Sequence, residues 1–216
     1  MPVTLILTRS PLREFKDGRK SGRWGEMVVV SGPKVISVEL AGYAAPAAGA
    51  SIGATIRAVA QNGAQVLSAA ASGITPVPIQ NGILKINSGG GAITVAKRFT
   101  TMERFRTNSG EGYYVQLRPK PEPYRITYEP GNRVVRTLRD GHTGNCFRVH
   151  GGRGNERGIL IHEAPSVGWV IGCIGPRPLN DYTITHSNRN GNPSHRAMNE
   201  LFEITGKEGE LFVLDW

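Results

Sequence analysis

The 216-residue chain is 39% apolar and 20% charged, which suits one buried core or two small ones and argues against a disordered polymer or a coiled coil. Its 28 glycines and 14 prolines predict many turns joining short strands. No stretch approaches the ~18 strongly apolar residues of a membrane-crossing helix. The opening Met1-Pro2-Val3-Thr4-Leu5-Ile6-Leu7 lacks the basic lead of a secretory signal. The expectation is therefore synthesis in the cytoplasm without a signal peptide, with no membrane span.

The net charge of +9 is unevenly placed: residues 1–100 carry 11 basic and 4 acidic groups, residues 101–216 carry 15 and 13. Arg19, Lys20 and Arg23 lie in the densest part of the basic stretch, between Arg9 and Lys34, and are candidate anion-binding residues. The stretch matches no known nucleic-acid motif, so nucleic acid is the least favoured partner. Two cysteines, Cys146 and Cys173, are too few for a disulfide framework. One bridge between them or two free thiols both fit the sequence.

In chain order, residues 1–40 read as basic N-terminal strands or an arm, and 41–91 as an Ala/Gly-rich hairpin insertion or small domain. Two Asn-Gly pairs, Asn62-Gly63 and Asn81-Gly82, sit between apolar runs and predict β-hairpins, because Asn-Gly accepts the positive φ angles of a type I′ turn. Residues 92–216 form the expected main domain. Strands are predicted over 93–99, 113–117, 124–128, 145–149, 158–162, 169–174 and 211–214. Asn192-Pro193-Ser194 predicts a capped helix with Met198, Leu201 and Phe202 as its apolar stripe and Gly206 as its stop. The fold class is mainly β, a β-rich α+β chain with a C-terminal helix.

The chemistry concentrates in Gly158-Ile159-Leu160-Ile161-His162 and Gly172-Cys173-Ile174. If Pro165–Gly168 makes a four-residue hairpin loop, His162 opposes Ile171 and Cys173 lies diagonal to His162 on the same face. An imidazole there can take the proton of a thiol that is otherwise mostly protonated at neutral pH. Backbone N–H groups around Gly172 and Ile174 are candidates for receiving an oxyanion. The alternative is a small buried cysteine beside a hydrogen-bonded core histidine.

These two runs resemble the His…Gly-Cys signature of the L,D-transpeptidases, cysteine enzymes that remodel peptidoglycan. The likeness is nearer to a divergent branch found in phage and bacterial proteins of uncharacterised function. It covers about residues 85–216 and is densest at 157–177. The resemblance implies a β-sandwich or barrel in which Cys173 attacks a stem-peptide amide, His162 is its base, and an amine or water resolves the acyl-enzyme. The enzymes carry Ser-His before Gly-Cys and Arg two residues after the cysteine; this chain has Val170-Ile171 and Gly175, with Arg177 two further on. His162 is followed by Glu163 where they carry glycine. Arg177, His150 and Trp169 are candidate substrate contacts.

Other patterns carry less. His142, Cys146 and His150 have helical metal-ligand spacing, but Gly141, Gly144 and Gly151-Gly152 argue against a helix. Gly151-Gly152-Arg153-Gly154-Asn155 lacks the ending of a phosphate loop. His186 and His195 read as surface or capping residues. No metal or cofactor is expected. Three readings follow: a peptidoglycan-directed cysteine acyltransferase or peptidase; a non-catalytic component of a phage tail, baseplate or injection machine, with other virion proteins as partners; and a basic nucleic-acid-associated protein.

Overall fold

The structure, a computed structural model, describes residues 3–18, 20–41, 73–80, 82–104, 116–132, 135, 144–152, 158–170, 172–185 and 192–215. The strands are β1 (Val3–Asp17), β2 (Lys20–Ser31), β3 (Ser37–Ala41), β4 (Ile74–Ile79), β5 (Gly82–Asn87), β6 (Thr94–Arg104), β7 (Tyr124–Glu129), β8 (Cys146–His150), β9 (Leu160–Ile161), β10 (Ile174–Pro178) and β11 (Glu208–Asp215). A 3-10 turn spans Val167–Trp169, and the helix named α1 spans Pro193–Thr205.

Eight strands close a barrel in the order β1-β11-β7-β8-β9-β10-β6-β2. Alternation along the strands decides what fills it. Leu5 and Leu7 of β1, Met27 and Val29 of β2, Phe147 and Val149 of β8, and Ile161 and Ile174 of β9 and β10 share the main core. Two neighbouring pairs are parallel, β1 with β11 and β9 with β10. The chain is mainly β, as its composition indicates.

Helix α1 is defined by the residues that predict it. Asn192 accepts a hydrogen bond from the Ser194 N–H at 2.9 Å, Pro193 opens the first turn, and Gly206 ends the helix at φ +69°. Ala197, Met198 and Leu201 bury against the barrel core, while Phe202 packs on Phe147 with ring centroids 5.1 Å apart.

The outer face of β1, β2 and β11 is covered by a second sheet, ordered β3-β5-β4. Its Val77, Ile79, Leu84 and Ile86 pack against Ile6, Val28, Val30 and Phe212. The β4–β5 hairpin forms as expected at the second Asn-Gly pair, but Ile79 pairs with Gly82, so Gly82 joins the strand rather than the turn. The hairpin expected around Asn62-Gly63 and the start of a strand at Tyr113 lie outside the described residues.

Two expectations need correction. Residues 1–40 are not an arm: β1 and β2 are staves of the same barrel as β6–β11, so the boundary at residue 92 does not divide it, and β3 belongs with the hairpin sheet. The strand expected over 169–174 begins only at Ile174. Val167 and Val170 are instead buried against Trp24 and Met102 on the barrel's outer face. A hairpin would give up that burial.

Inside one end of the barrel lies a charge. Arg9, 1% exposed, makes two bonds to the Glu103 carboxylate, at 2.6 and 2.8 Å, and donates to the Leu117 carbonyl at 2.7 Å. Burial works against this guanidinium, yet Glu103 and Asp215 outweigh it and hold its pKa above the usual value. Removing one partner leaves the other buried and uncompensated. Arg9→Met is expected to cost about 3–5 kcal/mol in urea unfolding, and Arg9→Met with Glu103→Leu to recover most of that loss. Equal losses in the single and double variants would refute the pairing.

Candidate functional site

The site is built where β9 meets β10. Ile161 aligns with Ile174 in the parallel pair, and the His162 N–H extends the ladder to the Ile174 carbonyl at 3.0 Å. Both isoleucines point into the barrel core. Alternation therefore puts Leu160 and His162, and Cys173 and Gly175, on the outer face. The expected hairpin is absent; in the parallel register His162 lies level with Gly175 and Cys173 with Leu160, two residues apart along the pair.

The connection from His162 back to Cys173 crosses that outer face. It has to, since parallel neighbours cannot be joined by a tight turn. A Cβ built on Gly175 would lie 2.6 Å from Ala164 Cβ, so glycine is required where the crossover presses on β10. Arg177 fixes the crossover from below. It is fully buried, donates to the Ala164 carbonyl at 3.0 Å and to the Thr183 carbonyl, and sits 5.8 Å from the Trp24 ring centroid. From above, Ser194 of α1 accepts from the Ala164 N–H at 2.8 Å and donates to the Pro176 carbonyl at 2.7 Å.

His162 is 2% exposed, and its Nδ1 lies 2.7 Å from the Glu163 carbonyl oxygen. A carbonyl only accepts, so Nδ1 carries the proton of this hydrogen bond. Glu163 is itself buried. Its carboxylate meets His195 Nδ1 at 2.8 Å and accepts from Asn192 Nδ2 at 3.3 Å.

Cys173 is partly buried between two apolar clusters, one with Ala164, Val167 and Val170, the other with Val135, Cys146 and Leu160. Burial pushes its thiol pKa up to about 11; a hydrogen bond with the Leu160 backbone draws it down and the Glu103 charge adds to the rise. Burial pushes Cys146 further, to about 12, with the Glu129 charge adding and Arg148 opposing. Both thiols are free. Strand β9 lies between them, so two strand spacings, about 9–10 Å, separate their backbones, beyond disulfide reach.

The remaining candidates disperse. Gly172 adopts φ +76° at the entry to β10, a conformation that favours glycine, and Ile174 puts its side chain in the core. Arg177 was expected to reach substrate; its burial and its bonds to loop carbonyls make it a brace instead. Trp169 packs on the crossover's apolar cluster, and His150, exposed on β8, has Nε2 2.7 Å from Thr127 Oγ1. Cys146 and His150 lie on one strand, about 13 Å apart along it rather than stacked on a helix. Lys20 is exposed at the β1–β2 tip, and a Cβ on Gly168 would fall 2.6 Å from its Nζ. Arg23 pairs with Glu14 at 3.6 Å; Arg19, His142 and His186 lie outside the described residues.

Sequence reasoning missed the contacts of Glu163 and read His195 as a surface or capping residue, with a place in a substrate groove as the alternative. The signal was present: the Asn192-Pro193-Ser194 start puts His195 in the first turn of α1. Comparison with protein-family models, curated proteins and solved structures finds no match.

Two outcomes follow for the thiols. At neutral pH Cys173 should be alkylated by iodoacetamide ahead of the fully buried Cys146, and His162→Ala should slow it; equal rates at both, unchanged in the variant, would remove the case for an assisted thiol. Both pKa values are raised on folding, so the stabilisation holds below the unfolded-state value near 9.0 and is lost as pH climbs toward 11 and 12. Unfolding free energy should fall between pH 9 and 11, and less steeply in Cys146→Val.

Proposed function

We propose that this chain is a cysteine acyltransferase of the L,D-transpeptidase kind, directed at peptidoglycan stem peptides. The observation that carries the reading is the fixed His162 ring, whose Nδ1–H donates to the Glu163 carbonyl at 2.7 Å on the face where alternation also puts Cys173. The Gly-Ile-Leu-Ile-His and Gly-Cys-Ile runs support the substrate class through the resemblance they carry.

The chemistry balances on these residues alone. His162 Nε2 takes the Cys173 Sγ proton as sulfur attacks an amide carbonyl carbon, and backbone N–H groups around Gly172–Ile174 receive the oxyanion. Collapse breaks the C–N bond, and the imidazolium returns the proton to the leaving amine. An incoming amine or water then gives its proton to His162 and displaces sulfur from the thioester. With the thiol pKa near 11, proton transfer accompanies attack rather than preceding it.

A second reading, a structural component of a phage tail, baseplate or injection machine, is favoured by one observation. The Cys173 thiol packs among apolar side chains that raise its pKa. Its partners would be other proteins of the particle.

Incubation of the purified chain with tetrapeptide-bearing muropeptides separates the two. The first reading expects release of a terminal amino acid or new cross-links, loss of both in Cys173→Ala, retention of most in Cys146→Ala, and a mass increase on Cys173 from the acyl-enzyme. No turnover and no adduct under reducing conditions, with the chain held in a stable particle, would establish the second.

A further inference from the structure

We propose that Glu163 is the positioning residue for His162 and that His195 holds it in place, extending the site to a Cys173–His162–Glu163–His195 chain anchored on the first turn of α1. This rests on the reading of His162 as the base of Cys173.

One residue serves both imidazoles. The Glu163 carbonyl accepts from His162 Nδ1 at 2.7 Å, and its carboxylate takes His195 Nδ1 at 2.8 Å and Asn192 Nδ2 at 3.3 Å. Rotating the Glu163–Ala164 peptide would carry the carbonyl away from the ring. The Glu163 side chain and the Ala164 N–H, held by Ser194 Oγ at 2.8 Å, prevent that rotation from both sides. All three anchoring side chains, Asn192, Ser194 and His195, come from one capped helix start, so a single rigid element sets the orientation of the ring. A glycine after the histidine offers no such handle. The buried carboxylate also places negative charge one residue from the ring that takes up the proton, which favours the imidazolium during attack.

His195 keeps this arrangement accessible to test, because its side chain is 42% exposed while Glu163 is 3% exposed. Two readouts are taken on the full chain: the rate of Cys173-specific alkylation by iodoacetamide, resolved by mass, and the 15N shifts of the His162 ring. Wild type should show the Nδ1–H pattern. Glu163→Ala and His195→Ala should slow alkylation on the order of tenfold and move the His162 signals off that pattern. Glu163→Gln, which keeps an acceptor for His195, should keep the pattern.

A merely structural role would lower stability and leave the ring signals unchanged. Wild-type His162 shifts in the alanine variants overturn the proposal, whether or not the rate falls. A wild-type rate overturns it too, provided His162→Ala is slow. If His162→Ala reacts as wild type, the base reading fails instead, and the 15N pattern alone decides whether Glu163 and His195 hold the ring. Should Glu163→Ala not fold, the same two readouts on His195→Ala decide the matter.

Discussion

The parallel pairing of β9 with β10 is the constraint on which the site depends. Antiparallel neighbours can be joined in two residues; parallel ones need a connection that leaves the sheet, crosses its face and returns. Here residues 162–173 make that journey over the barrel's outer surface. Both ends of the journey lie beside the same ladder position, Ile161 opposite Ile174. In that register His162 lies level with Gly175 and Cys173 with Leu160, so alternation puts the two on one face, two residues apart along the pair.

A crossover loop of this kind exposes backbone polar groups that have to be satisfied where they press on the sheet. The chain solves this with one buried cation below and one helix start above. Arg177 directs its donors to carbonyls of the crossover and of Thr183, and Ser194 bridges Ala164 to Pro176. Burial lowers the Arg177 pKa, with Asp181 opposing. Arg9 solves a different problem by different means: inside the barrel its charge meets a carboxylate, Glu103, in a two-bond pair. Arg9 also reaches Leu117 and Asp215, and so ties β1, β6 and β11 together at one end of the barrel.

Much of this was legible in the sequence, and the failures have physical causes. Helix α1 was readable to its cap residues, because Asn-Pro-Ser and a terminal Gly act locally. The strands read at 124–128, 145–149 and 211–214 from apolar runs between turn residues overlap Tyr124–Glu129, Cys146–His150 and Glu208–Asp215. The 169–174 strand was misplaced because Trp169, Val170 and Ile171 look like a strand while Val167 and Val170 serve as a loop's buried face; pattern does not distinguish the two sources of burial. The hairpin argument for His162 and Cys173 was wrong, since β9 and β10 pair in parallel and the chain between them crosses the sheet face. The Glu163–His195 contact joins residues 32 apart in sequence, and nothing local announces it.

What the crossover does to the thiol bears directly on how such a site could work. A pKa near 11 leaves on the order of one thiol in ten thousand ionised at pH 7, so a resting thiolate is not the reacting species. On the proposed acyltransferase reading, the thiol needs a base aligned before the substrate arrives, so that the ring receives the proton as the S–C bond forms. Alignment is what the surroundings of His162 provide: one nitrogen is committed to a carbonyl, that carbonyl belongs to a residue clamped by α1, and α1 is docked on the barrel core through Ala197, Met198 and Leu201. Burial that raises the thiol pKa also removes water that would compete for the same imidazole. Apolar packing around the thiol and the fixed His162 ring both follow from how the crossover is held against the barrel.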